Sequence, residues 1–276
     1  MGTRLSIDEV ALSKGELYTI VTNKKAKGKK GSIVAIVATT KAEPIIKHLF
    51  KIPSSKRNKV KEITLDMANS MKLIAKRCFP KAIQVTDRFH VQKLALEALQ
   101  EIRIKNRWEA IDKENELIKL AKSNNKQYNP EVLENGDTIK QLLARSRYLL
   151  YKAPSNWTPD QKVRAKLLFE RYPDIKTAFN LVQGLRNIFN TATSIQIAYT
   201  KLAHWYKDVE QTRYKDFNTI VNSIKLNYRS ILNYFINRST NAAAESFNAK
   251  IKAFRMQFRG VKNKEFFLFR LTTIFA

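Results

Sequence analysis

Cysteine, acidic residues and long apolar runs are all scarce in this chain, and each shortage removes a class of protein. The 276 residues include a single cysteine, Cys78. That excludes a disulfide framework and any zinc site built from several thiolates, and it fits a reducing compartment. No apolar run reaches the about 18 residues expected of a membrane-spanning helix. The opening MGTRLSIDEV lacks an apolar signal-peptide core, so a cytoplasmic location is expected. Met1-Gly2 has the outline of a myristoylation signal, but a strand pattern beginning at Leu5 leaves no flexible anchor. No internal repeat or low-complexity linker interrupts the chain. Acidic residues number 24 against 51 lysines and arginines, a formal net charge of +27, while 44% of the residues are hydrophobic. A chain of this size buries a real core, so the excess charge belongs to a folded surface. It occurs in short clusters such as NKKAKGKKG (23–31) and SSKRNKVK (54–61). A polyanion, above all nucleic acid, is the expected partner; a ribosome-associated protein is the alternative on composition alone.

The hydrophobic pattern changes period along the chain. RLSIDEVAL, ELYTIVTN (16–23) and GSIVAIVATT (31–40) are β-rich runs separated by Lys- and Gly-rich turns, an antiparallel meander. AEPIIKHLFKI (42–52) reads as a helix with Pro44 in its first turn. VKEITLD (60–66) is a strand, Met67, Met71, Ile74 and Cys78 recur at helical spacing, and AIQVTD (82–87) is a further strand. The order βββ-α-β-α-β implies a mixed sheet, because strand–helix–strand crossovers pair strands in parallel. This is the opening topology of an RNase H-like α/β fold. From Val91 the period is helical, broken by SNNKQYNPEVLENGD (123–137) and restarted at Thr158-Pro159, a strong N-cap and first-turn pair. The expected organisation is a sheet core over 1–90, an all-α insertion over 91–236 and the closing helices of the core over 237–276.

Three acids stand out against this frame. Asp8 lies in the first strand on the face opposite Leu5 and Ile7, and Asp66 ends the fourth strand. In an RNase H-like sheet those strands are neighbours, so the two carboxylates emerge together and repel unless a cation lies between them. Magnesium, bound by few carboxylates together with water and phosphate oxygens, answers that need. The alternative for Asp66 is a cap on the following helix. In RSTNAAAESFNAKIKAF (238–254), Ala243, Phe247, Ile251 and Phe254 form an apolar stripe, while Asn241, Glu245, Asn248 and Lys252 form a polar one. Glu245 is then either a third acid presented between amides or part of a solvated face.

The ordered set SIDEVAL, ITLDMANSM, QVTDRFHV, LLARSRYLLYK, STNAAAESFNAKIK and FRGVKNKEFFLFRL resembles the catalytic region of bacterial insertion-sequence transposases of the ISL-three type. The resemblance implies a DDE transposase with an RNase H-like core, a helical insertion before the last acid, and a catalytic and metal-binding triad at Asp8, Asp66 and Glu245. It implies magnesium as cofactor, with manganese able to substitute, DNA as substrate, and a homodimer working on DNA in the bacterial cytoplasm. Members of the family usually carry a zinc-binding segment and a helix-turn-helix ahead of the first acid. Here Asp8 stands almost at the start, so a separately encoded end-binding protein is expected. Asp87 and His90 in TDRFH are similar to the C/D-x-x-H element of Mutator and hAT transposases and are expected near the triad; the alternative is a helix cap and a buried histidine. The competing function is a catalytically inactive, basic nucleic-acid-binding protein, which needs only the charge.

Candidate DNA contacts are Arg145, Arg147 and Trp157 in the helical block, and Lys250, Lys252 and Arg255 in KIKAFRMQFRGVKNK (250–264). An aromatic among cations stacks on an unpaired base, although core packing is the commoner role of a tryptophan. With charge but no recognisable groove-reading module, binding is expected to be governed by counterion release. Affinity for end and non-end duplexes should fall alike, by about 10³-fold or more between about 50 and 200 mM salt if six or more phosphates are contacted. A salt-titrated binding assay checks this, and a marked preference for element ends at physiological salt would contradict it.

Overall fold

The computed structural model describes residues 1–12, 15–258 and 263–276; residues 259–262 of the basic segment 250–264 lie outside them. β1 (Arg4–Ala11), β2 (Leu17–Asn23) and β3 (Ile33–Val37) form the antiparallel meander. α1 (Ala42–Leu49) carries Pro44 in its first turn, where an N–H would find no helical partner. α2 (Ser54–Arg57) is a single turn before β4 (Glu62–Leu65), and α3 (Asn69–Cys78) leads to β5 (Ile83–Thr86). The sheet order is β3-β2-β1-β4-β5, with β1–β4 and β4–β5 parallel. This mixed sheet is RNase H-like, and a large helical insertion follows it in the chain.

The helices after β5 are α4 (Arg88–Ser123), α5 (Ile139–Arg145), α6 (Arg147–Tyr151), α7 (Pro159–Arg171), α8 (Pro173–Thr191), α9 (Ile195–Thr212), α10 (Lys215–Leu226), α11 (Tyr228–Leu232), α12 (Tyr234–Asn237), α13 (Ala242–Gln257) and α14 (Lys264–Phe275). Thr158 caps α7 in a reciprocal box with Gln161, and Thr138 does the same for α5 with Gln141. No helix among the described residues is long and apolar enough to cross a membrane.

The chain divides into two compact units, residues 1–91, 193–196 and 224–276, and residues 92–192 and 197–223. The second is helical and buries Leu168, Phe179, Leu185 and Trp205. The chain re-enters the first unit at Ile224, ahead of the boundary expected at 236. The reason is polar: Thr86 Oγ1 donates to Ser230 Oγ at 2.8 Å and Asn233 Nδ2 to the Gln84 carbonyl at 2.9 Å, so α11 belongs beside β5.

In the first unit the pleat divides the core in two. Leu5, Ile7, Ile63 and Leu65 pack with Ile45, Leu49, Ile74 and Cys78 of α1 and α3. On the other face Val10, Tyr18, Ile20 and Ile36 pack with Phe247 and Ile251 of α13 and Phe267 and Leu271 of α14. Ile63 is fully buried in β4, between β1 and β5. Ile63→Ala should destabilise the protein by about 2–5 kcal/mol through lost transfer energy and the cavity left behind. Urea denaturation measures it; a cost below about 1 kcal/mol would show that this layer can collapse around the gap.

Candidate active site

Strand register brings three aspartates into line. Arg4 of β1 pairs with Glu62 of β4, 58 residues on, and Asp66 lies the same 58 residues beyond Asp8. Leu65 of β4 pairs with Thr86 of β5, 21 residues on, and Asp87 lies the same 21 residues beyond Asp66. The Asp87 backbone N–H donates to the Leu65 carbonyl at 3.0 Å, so the ladder reaches this level. Adjacent strands are about 4.8 Å apart. The register therefore sets the three carboxylates at one level across three adjacent parallel strands, just past the ends of β4 and β5 and midway along β1.

Asp8 shares a face of β1 with Ser6 and Val10, the face that α13 covers. Its Oδ1 accepts from the Glu9 backbone N–H at 2.9 Å and its Oδ2 from Asn248 Nδ2 at 2.6 Å. Ser6 Oγ donates to Asn241 Oδ1 at 2.7 Å in a buried contact. The polar stripe of α13 is thus no uniformly solvated face. Asn241, its N-cap, is 1% exposed and Asn248 8%, both turned to the sheet, while Glu245 and Lys252 are exposed. Asp66 Oδ1 accepts from the Ala68 backbone N–H at 2.8 Å. Ala68, not Asp66, is the N-cap of α3, so the carboxylate orders the turn into that helix without capping it.

The electrostatics follow from this crowding. Burial raises the Asp8 carboxyl above its ordinary value and the Asp66 charge adds to the rise; the Glu9 N–H, His90 and Asn248 oppose it. Glu245 is raised by partial desolvation and by the charges of Asp87 and Asp8, with His90 opposing. Glu9 is raised by desolvation and by Asp66 and Asp8. Asp8 and Glu245 are therefore within electrostatic reach of one another and of His90, on elements far apart in sequence. His90 lies edge-on to Phe89, with ring centres 5.8 Å apart. Asp87 is buried, and its Oδ1 accepts from the Phe89 N–H at 3.3 Å at the start of α4.

A second polar cluster holds the segment that enters α13, and sequence pattern had not marked it. Lys24 Nζ donates to Thr64 Oγ1 at 2.6 Å and to Ser239 Oγ, and lies 3.6 Å from Glu62 Oε1. Ser239 Oγ donates to Glu62 Oε1, and Asn237 Nδ2 to Glu62 Oε2 at 3.2 Å. Burial lowers the Lys24 pKa, with Glu62 opposing. The one available signal was Glu62, an acid at the head of the short strand EITL, whose burial demands a partner.

The candidate DNA contacts fall out differently. Arg147, Lys250 and Lys252 are exposed. Arg145 is exposed but paired with Asp137, a buried carboxylate that also accepts from Arg164 at 2.9 Å. Arg255 is buried: its guanidinium lies 3.4 Å from Glu16 and 5.0 Å from the Phe267 ring centre, so it is a packing residue and not a surface cation. Trp157 stacks on Phe179 with centroids 5.4 Å apart, and its Nε1 donates to the Leu149 carbonyl at 2.9 Å. Packing accounts for both its ring and its N–H.

Oxygen donors with mutual repulsion left uncancelled fit a hard divalent cation in kind. Among the described residues, however, no three His, Cys, Asp or Glu side chains stand close enough together to hold one ion. The comparisons with known proteins agree with the fold. A family model described as a transposase, of the DDE ISL3 type, matches residues 5–271. The transposase for insertion sequence element IS1001 of Bordetella parapertussis is 23% identical over 275 residues. That alignment covers 98% of this chain and 60% of the relative, so the chain spans less than two thirds of that protein's length.

The raised carboxyls fix the sign of a pH effect. Their contribution to stability is fully present below the unfolded values, near 3.8 for Asp8 and 4.5 for Glu245, and is lost as pH rises through the higher folded values. Metal-free protein should therefore lose stability at this site as pH rises above about 4, and Asp8→Asn should lose less over the same rise. A divalent cation bound among these acids should raise the Tm of the wild type at neutral pH and do so far less near pH 4. Thermal denaturation followed by circular dichroism checks both; parallel pH curves for the two proteins would contradict the coupling.

Proposed function

The chain belongs to the ISL3 type of DDE transposases, and on that premise we propose that it carries out metal-dependent DNA strand cleavage and strand transfer, with Asp8, Asp66 and Glu245 as its catalytic acids. The observation that supports this most is the common register of Asp8 and Asp66 on adjacent parallel strands, with Glu245 on the helix covering that face and within reach of the Asp8 charge. The two aspartates and Glu245 would hold magnesium, or manganese in its place. Bound there, the cation supplies activation of a water or DNA 3′-hydroxyl and neutralises charge at the leaving oxygen.

The chain's own residues do the positioning. Asn248 and the Glu9 N–H fix the Asp8 carboxylate, and the Ala68 N–H fixes that of Asp66. The Ser6–Asn241 contact and the Lys24–Glu62–Ser239 cluster hold the entry to α13 against the sheet, and so set where Glu245 stands. His90 lies within electrostatic reach of Asp8 and Glu245 and favours their charged forms. No side chain is needed as a covalent nucleophile, because water and the DNA hydroxyl attack phosphorus directly. Exposed lysines and arginines neutralise the DNA backbone, which gives affinity with little sequence information. Two strand ends require two such centres, which is the ground for a homodimer on DNA.

A second reading, a basic DNA-binding protein without catalysis, is favoured by one observation: no three acids among the described residues share one ion-sized site. A nicking assay with magnesium or manganese separates the two. Asp8→Ala, Asp66→Ala and Glu245→Ala should each lower the cleavage rate by at least about 10²–10³-fold, since each removes part of a unit that acts together. DNA binding should change less than about threefold, because the phosphate contacts remain. Wild-type rates in any of the three would remove that residue from the site; absence of metal-dependent nicking in the wild type would favour the second reading.

A further inference from the structure

On the α3 side of Asp66 the first unit holds a cavity of about 410 Å³, lined by Lys72 of α3, Gln84 of β5 and residues between Leu226 and Asn233. This is within the about 300–1,000 Å³ typical of sites for single small ligands, large enough for one nucleotide and too small for a stretch of duplex. Its walls divide by chemistry. Leu226 is 84% exposed and Tyr228 40%, and together they offer an apolar and an aromatic surface. Lys72 and Arg229 supply two cations; the Arg229 guanidinium carbon is 5.8 Å from the Tyr228 ring centre and its Nε donates to the Tyr228 hydroxyl at 3.0 Å. The remaining wall is braced: Gln84 Nε2 donates to the Lys72 carbonyl at 3.4 Å, and Asn233 Nδ2 to the Gln84 carbonyl at 2.9 Å. Lys72 lies on α3, the helix entered through the turn that Asp66 orders, and Gln84 on β5, the strand that leads to Asp87, so the recess adjoins the elements that carry two of the aspartates; Lys72 is also within electrostatic reach of Asp66.

We propose that this recess binds one unpaired nucleotide of the DNA strand beside the phosphate under attack, with the base against Tyr228 and Leu226 and its phosphates against Lys72 and Arg229. The inference rests on the reading of Asp66 as a catalytic acid. An aromatic ring with a cation alongside stacks on any base, so the site is tolerant of sequence. A paired base cannot enter without leaving the duplex, so the recess favours DNA that is already opened at one position and adds to the cost of acting on intact duplex.

Binding measured in EDTA isolates this from the chemistry. Three probes of one arbitrary sequence serve: an intact duplex, the same duplex with one extruded 2-aminopurine nucleotide, and that duplex with an abasic residue at the extruded position. The wild type should quench 2-aminopurine fluorescence and bind the extruded base about 5–100-fold more tightly than the abasic probe. Tyr228→Phe should keep that preference and Tyr228→Ala abolish it, whereas Lys72→Ala should weaken all three probes alike and reduce the salt slope by about one. Equal binding of base and abasic probes by the wild type, or a preference that survives Tyr228→Ala, would overturn the proposal. Should the preference hold while Asp66→Ala still cleaves at the wild-type rate, the recess stands as a DNA subsite and the catalytic assignment of Asp66 falls.

Discussion

Everything at the candidate site depends on the backbone ladder between β1, β4 and β5. Parallel pairing allows only one relation between Asp8, Asp66 and Asp87 once Arg4 is matched to Glu62 and Leu65 to Thr86. A slip of one residue in β4 would turn Asp66 to the opposite face and move Ile63 and Leu65 out of the core with it. Burial of Leu5, Ile7, Ile63 and Leu65 against α1 and α3 therefore enforces the alignment of the carboxylates. Hydrophobic packing on one face of the sheet specifies the electrostatics at its end.

That alignment is costly in a metal-free chain. Charges of one sign are brought together, and Asp8 and Glu245 are raised by burial as well as by their neighbours. A protein with net charge +27 could have surrounded these acids with lysines. Instead the groups facing Asp8 are an amide, a backbone N–H and a histidine. Amides orient a carboxylate without cancelling its charge, so the negative potential is retained at one spot on a positively charged molecule. DNA is drawn to the surface at large, while the acids keep their capacity to bind a cation.

The sheet was legible in the sequence because alternation and crossovers are local signals. The strands of RLSIDEVAL, ITLD and QVTD appear where their period predicts them, as does the capped start at Thr158 and Pro159. Long-range polar satisfaction was not legible. Asn241 and Asn248 read as members of a polar stripe, yet their partners, Ser6 and Asp8, lie 235 and 240 residues away. Arg255 looked like one more cation in a basic segment until Glu16, 239 residues distant, paired with it. The return to the first unit at Ile224 carries no local signal for the same reason, because α11 continues the helical period of the residues before it while bonding to β5. Periodicity reports which side of an element is buried and is silent about what a buried polar group will meet.

The placement of Glu245 follows from this long separation. Between β5 and α13 the chain leaves the first unit and returns, so continuity of the backbone does almost nothing to locate the helix. The entropy of closing so long a loop grows only logarithmically with its length, but the closure fixes no orientation. Orientation has to come from contacts within the unit. Phe247 and Ile251 supply the burial, which is tolerant of small shifts along the helix axis. Asn241 on Ser6, Asn248 on Asp8, and Ser239 between Lys24 and Glu62 supply directional bonds at the entry and two turns further on. Two of these reach β1 and the third reaches β4, the strands that carry Asp8 and lead to Asp66. The helix that carries Glu245 is thus registered against the same two strands that position the first two acids.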